Sequence, residues 1–78
     1  MPNTFKKLQN IVGQQLTINP QLIKLKSNFI KDLGVDSLEL IELVLTVEYE
    51  FDITIDDQSA SKIRTFEDLY NCVKKNIK

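Results

Sequence analysis

Few residues in this 78-residue chain could do chemistry: eleven carboxylates, one thiol (Cys72) and a handful of hydroxyls, among them Ser37 directly behind Asp36. The chain has no histidine, so no Ser-His or Cys-His pair can activate a nucleophile. One cysteine without histidine cannot build a zinc site, and it cannot form an internal disulfide. Carboxylates are the groups left to titrate near neutral pH, so a self-contained enzyme is not expected. Cys72 reads as an inert thiol on a helix, because no second cysteine is present to resolve it. Asp52, Asp56 and Asp57 invite a calcium-loop reading, but the EF-hand pattern needs glycine where Asp57 stands and a distal glutamate where Ile63 stands. No metal site is expected.

The elements that must position these groups are helical. Phe5, Leu8, Ile11, Val12 and Leu16 form one helical stripe, with Asn3 or Thr4 as its cap. Lys6 and Lys7 fall in the first turn, unfavourably for the helix dipole. Asn19-Pro20 breaks this helix. Residues 21–35 read as a long, partly ordered connection anchored by Leu22, Ile23, Leu25, Phe29, Ile30 and Leu33. Such a loop is unusual in so small a domain, and long loops are often functional. A second helix is predicted over about Ser37–Glu50, with Gly34 freeing the turn before it and Asp36 with Glu39 as a capping box. A short third helix is predicted near Asp57–Ser61. A fourth starts at Thr65, with Asp68 completing a second box and an apolar stripe of Phe66, Leu69, Tyr70, Val73 and Ile77. The alternating Phe51–Ile55 segment has no strand to pair with and is read as a loop. The fold class is therefore all-α: a small four-helix bundle of three longer helices and one short third helix, with a long loop between the first two. Residues 1–78 form a single domain.

The net charge of −1 conceals an uneven distribution. Residues 1–31 carry five lysines and no acid, residues 32–61 nine acids and no base, and residues 62–78 five bases and two acids. The acidic middle excludes nucleic acid as its partner and suits a basic surface. No signal core or membrane-spanning run is visible, so no membrane insertion is expected. A chain opening on Met is expected to be an unprocessed product, cytoplasmic or, in an organelle, stromal or matrix.

The second helix has two apolar faces. At about 100° per residue, Leu40, Leu43, Val44, Val47 and Phe51 make one stripe, the core face. Leu38, Ile41, Leu45 and Tyr49 make a second, roughly opposite, bordered by Glu42 and Glu48, with Ser37 projecting near it. Two readings stand: the 17–36 connection covers the second stripe, or the stripe docks on an apolar groove rimmed by lysine or arginine.

The stretch Phe29-Ile30-Lys31-Asp32-Leu33-Gly34-Val35-Asp36-Ser37-Leu38 closely resembles the F-x-x-D-L-G-x-D-S-L signature of acyl carrier proteins. The match continues through Glu42-Leu43-Val44, Glu48-Tyr49-Glu50-Phe51-Asp52, Ile55, Asp57 and Lys62-Ile63, and chain length fits from end to end. The resemblance implies a right-handed four-helix bundle in which Ser37 is the attachment point for 4′-phosphopantetheine. It implies a separate phosphopantetheinyl transferase that loads the group from coenzyme A with magnesium, and a non-catalytic, monomeric carrier of acyl thioesters. Partner enzymes would be acyl transferases and ketoacyl synthases of fatty-acid or polyketide synthesis. The family's partner surface maps to Asp36, Leu38, Glu39, Ile41, Glu42, Leu45, Glu48, Ile55 and Asp57. An acyl shelter would draw on Leu43, Val47, Ile63 and Leu69, which read equally well as ordinary core.

The chain departs from the family pattern in several places. Tyr49 stands where many members have glutamate, and Asp56 where proline usually follows Ile55. Gln58-Ser59-Ala60-Ser61 and the first helix lack acids. These changes narrow the acidic footprint and open the reading of a specialised carrier beside the housekeeping one. Two further readings are an aminoacyl carrier of the peptidyl or D-alanyl type, and a helical docking subunit without a prosthetic group.

Overall fold

The computed structural model describes residues 3–77. The elements follow in the order α1 (Thr4–Leu16), α2 (Ser37–Phe51), α3 (Asp57–Ser61) and α4 (Phe66–Asn76), with a short 3₁₀ turn at Pro20–Leu22 between α1 and α2. This is the expected bundle of three longer helices and a short third one, and no strand is present among the described residues.

Asn3 caps α1, its Oδ1 accepting from the Lys6 amide at 3.0 Å. Leu8 and Val12 are fully buried along the stripe, and Phe5 meets Phe66 and Tyr70 of α4 edge-on at 5.4 Å each. The chain then doubles back closely over Gly13. A Cβ there would lie 2.8 Å from both the Ile18 carbonyl oxygen and Pro20 Cγ, so glycine is required by space. Lys7, unfavourable in its own helix, serves another. Its Nζ donates to the Glu50 carbonyl at 3.4 Å and lies 4.7 Å from the Phe51 ring centroid. It supplies the cation that the last turn of α2 lacks.

The connection between α1 and α2 is held by hydrogen bonds within itself and to α4. Asn28 Oδ1 accepts from the amides of Ile30 and Lys31, and Asp32 Oδ2 accepts from the Asn28 amide at 2.7 Å. Asn28 and Thr65 form an isolated antiparallel bridge. Around it, the Phe29 amide donates to the Arg64 carbonyl at 3.0 Å, and the Phe66 and Glu67 amides donate to the carbonyls of Ser27 and Leu25 at 2.9 and 3.0 Å. The first amides of a helix have no partner within it; here the loop supplies two. Of the six expected anchors, Ile23 and Phe29 are buried and Leu33 half-buried, but Leu22, Leu25 and Ile30 are exposed. The backbone is held to α4 by hydrogen bonds, so few side chains need to enter the core. Val35, unremarked in the sequence, is buried instead.

Asp36 and Glu39 form the predicted capping box, with bonds of 2.8 and 3.2 Å. Gly34 precedes it at φ 69°, in the left-handed region that favours glycine. The helix runs one residue past Glu50, to Phe51, and leaves through Asp52 at φ 54°. Thr65 and Asp68 form the second predicted capping box at the start of α4, and Ile77 ends the helix exposed. Leu43, Val44 and Val47 of α2 pack with Leu8, Val12, Phe66, Leu69 and Val73 in the core, while Leu40 and Phe51 are only half-buried.

Asp68 holds the start of α4, its Oδ2 accepting from the amides of Arg64 and Thr65 at 2.9 and 3.1 Å. Burial pushes its carboxyl up, but these bonds outweigh burial and hold it below the ordinary 3.8. A carboxyl lowered in the folded state stabilises the fold above about pH 3.8. That contribution is lost as pH falls through the lower folded value. Urea midpoints measured from pH 6 down to about pH 2 should therefore fall more steeply for the native chain than for Asp68→Asn. Parallel profiles would show that Asp68 carries no such coupling.

Candidate functional site

Ser37 is the first residue of α2. It is exposed, and among the described residues no group is hydrogen-bonded to its hydroxyl. Asp36 is committed to the Glu39 amide at 2.8 Å and so does not restrain the serine. The hydroxyl stands at the positive end of the helix dipole, where an attached phosphate ester is electrostatically favoured.

Ser37 also stands on the rim of a cleft of about 630 Å³ between α2 and α3. Its walls include Leu40, Ile41, Val44 and Leu45 of α2, Ile55, Ala60 and Ile63 from the α3 side, and Ile30 from the long loop. Of the four residues proposed from sequence for an acyl shelter, only Ile63 lines this cleft. Leu43, Val47 and Leu69 are buried in the core without lining it. Val44 belongs to both the core and the cleft wall, and half-buried Leu40 packs against the core, so the cleft adjoins the core along α2.

The outer stripe is bare. Leu38, Ile41, Leu45 and Tyr49 are 64%, 58%, 60% and 83% exposed. The 17–36 connection does not cover them, because its backbone bonds go to α4. Asp36, Glu39, Glu42 and Asp57 are exposed around this stripe. Two of the nine surface residues named from sequence behave differently. Ile55 is buried at 6% exposure, forming part of the cleft wall rather than the outer surface. Glu48 is half-buried, and its Oε2 accepts from the Ile55 amide at 2.9 Å. It is the strut that holds the α2–α3 connection against α2. No one-dimensional signal distinguishes a glutamate that braces a loop from one that faces a partner.

Away from the cleft, hydrogen bonding from Ser59 lowers the Asp56 carboxyl as it caps α3. Burial, then the nearby Asp68 charge, pushes the Cys72 thiol above its ordinary value. A thiol raised in this way is a poor nucleophile at neutral pH, as expected. No cluster of side chains suited to a metal is present among the described residues.

The sequence profile of the phosphopantetheine attachment site matches residues 6–73. The acyl carrier protein of Phaeodactylum tricornutum is 49% identical over 76 residues, 97% of this chain and 100% of that protein. That of Cylindrotheca sp. is 47% identical over 78 residues, 100% of this chain and 98% of that one. The chain belongs to the acyl carrier protein family. A solved chain from Mycobacterium tuberculosis, assigned to acyl carrier proteins, superposes with a TM-score of 0.88 at 30% identity, covering 94% of this chain and 97% of its own. Within the family framework, the exposed, unpartnered hydroxyl at the head of α2 suits 4′-phosphopantetheine as the expected cofactor.

The Glu48 strut has a direct test. Glu48→Ala should cost about 1–2 kcal/mol and speed hydrogen exchange at the Ile55 amide. Glu42→Ala, whose carboxylate braces no backbone amide among the described residues, should change neither. Equal Ile55 exchange rates in the two variants would overturn the assignment.

Proposed function

We propose that Ser37 bears the 4′-phosphopantetheine and that residues 1–78 act as a single, monomeric acyl carrier domain. The observation that carries this reading is the free Ser37 hydroxyl at the rim of the cleft, within the Asp32–Leu38 part of the signature. In loading, the Ser37 oxygen attacks the pantetheine-side phosphorus of coenzyme A and loses its proton. A phosphodiester forms, a pyrophosphate P–O bond breaks, and adenosine 3′,5′-bisphosphate leaves. This chain supplies the hydroxyl but no base, since it has no histidine. A separate phosphopantetheinyl transferase with magnesium supplies both the base and the electrophilic assistance.

Once attached, the group offers a thiol that holds an acyl chain as a thioester. The chain's own residues present it. The start of α2 favours the negative phosphodiester, and the apolar cleft walls can exclude water from an acyl chain. Leu38, Ile41 and Leu45 supply apolar contact to partner enzymes, and Asp36, Glu39, Glu42 and Asp57 steer their basic surfaces. Acyl transferases and ketoacyl synthases are the partner classes this arrangement suits. An aminoacyl cargo is not favoured, because the relatives are named acyl carrier proteins. No helix among the described residues is long and apolar enough to cross a membrane, and we place the carrier in cytoplasm or an organelle stroma or matrix.

Incubation with coenzyme A, magnesium and a broad-specificity transferase should raise the intact mass by one phosphopantetheinyl group. Ser37→Ala should show no gain while keeping its helical circular dichroism. An unmodified native chain, with a control carrier modified in the same tube, would falsify the attachment. In the loaded protein, Glu42→Lys should weaken ketoacyl synthase turnover at low salt. The gap to the native chain should narrow at about 0.5 M salt, where exposed charges are screened. A salt-independent defect would remove Glu42 from the steering set.

A further inference from the structure

The outer face of α2 is electrostatically divided along its length. Its Ser37 half carries the exposed acids Asp36, Glu39 and Glu42, with Asp57 beyond them. In its far half, Glu48 turns its carboxylate to the Ile55 amide and is half-buried. Glu50 lies about 100° around the helix from Tyr49, and its carbonyl is held by Lys7, which adds a positive charge at that end. Asp52 is itself the left-handed residue that ends the helix. Glu50 and Asp52 are exposed as well, but the residue that continues the stripe outward in the far half is Tyr49, 83% exposed and four residues on from Leu45. A tyrosine combines a large apolar area with little conformational entropy to lose on binding, the properties of an interface anchor.

We infer that Tyr49 is an uncharged aromatic anchor that selects this carrier's partner. This anchor rests on the carrier reading of the same face and extends it to the partner's chemistry. The protein that fits has lysine or arginine only opposite the Ser37 half. About 18 Å further along the helix, twelve residues at 1.5 Å each, it offers an apolar slot in place of a cation. Continuity supports this, since Leu38, Ile41, Leu45 and Tyr49 form one unbroken exposed strip. Charge complementarity supports it too. A cationic groove along the whole helix would meet no free carboxylate on the strip beyond Glu42, and its desolvated lysines would be left unpaired there.

The test uses the full chain, first shown by intact mass to be loaded on Ser37, and then acylated. The partner is the purified ketoacyl synthase encoded in the same genome. Tyr49→Ala and Tyr49→Glu should each raise KM for the acyl carrier by about tenfold or more, the size of an aromatic anchor's loss. The kcat should hold, and Tyr49→Phe should behave as the native chain. Raising salt should not rescue Tyr49→Glu. A KM unchanged in Tyr49→Ala overturns the inference, as does a lower KM in Tyr49→Glu, which would reveal a cation opposite position 49. A Tyr49→Phe variant as weak as Tyr49→Ala overturns the apolar slot. Failure of the native chain to load would count against the carrier reading and leaves a distinct signature, since no Tyr49 variant would load either.

Discussion

The bonds between residues 25–29 and the start of α4 are the constraint on which the site depends. A connection of about twenty residues must satisfy its backbone polar groups somewhere. Here the Leu25 and Ser27 carbonyls take two amides from the first turn of α4, and the Phe29 amide returns one to Arg64. The loop completes the cap of one helix and is itself held in place by it. Because it lies against α4, the outer face of α2 stays bare. Because Phe29 within the Asn28–Leu33 turns and Val35 just after them are drawn into the core, the chain reaches Asp36 in position to begin α2. The proposed attachment serine is thus placed by bonds between segments distant from it in sequence, the loop at 25–29 and the start of α4.

The acids of α2 divide among three tasks, although in sequence they look alike. Asp36 and Glu39 close the capping box and keep the helix start rigid. Glu48 is spent on the Ile55 amide, bracing the connection that walls the cleft. Glu42 and Glu50 are exposed and brace no backbone amide among the described residues, and of the two Glu42 borders the stripe nearer Ser37. Counting nine acids in the middle of the chain therefore overstates the charge available for recognition. The narrower footprint inferred from Tyr49 and from the acid-poor third helix is narrower still once Glu48 is assigned to the interior. Under the proposed docking, an enzyme that modifies or uses this carrier would meet a short acidic patch beside Ser37 and an apolar strip beyond it.

The chemistry is divided as the composition implied. With no histidine and a Cys72 thiol raised by burial, the chain has no strong nucleophile of its own to compete with a thiol carried on an arm. What the protein contributes is placement: an exposed hydroxyl, a cleft of apolar walls and a surface for partners.

The sequence by itself determined the helices, both capping boxes and the double-faced character of α2, because these depend on residues within a turn or two of each other. The signature around Ser37 is equally local, so the candidate attachment point was legible before any fold was known. Only the tertiary structure decided what covered what. Periodicity shows that Leu38, Ile41 and Leu45 share a face, but not that the loop is diverted to α4 and leaves them open. The family resemblance placed Ile55 and Glu48 among nine candidate surface residues, whereas the structure buries Ile55 and has the Glu48 carboxylate accept from its amide. The resemblance offered Leu43, Val47 and Leu69 for an acyl shelter with ordinary core as an equal reading; they are core, and the α2 wall of the cleft is Leu40, Ile41, Val44 and Leu45. Each of these outcomes turns on contacts between segments distant in the chain, which spacing along one helix does not encode.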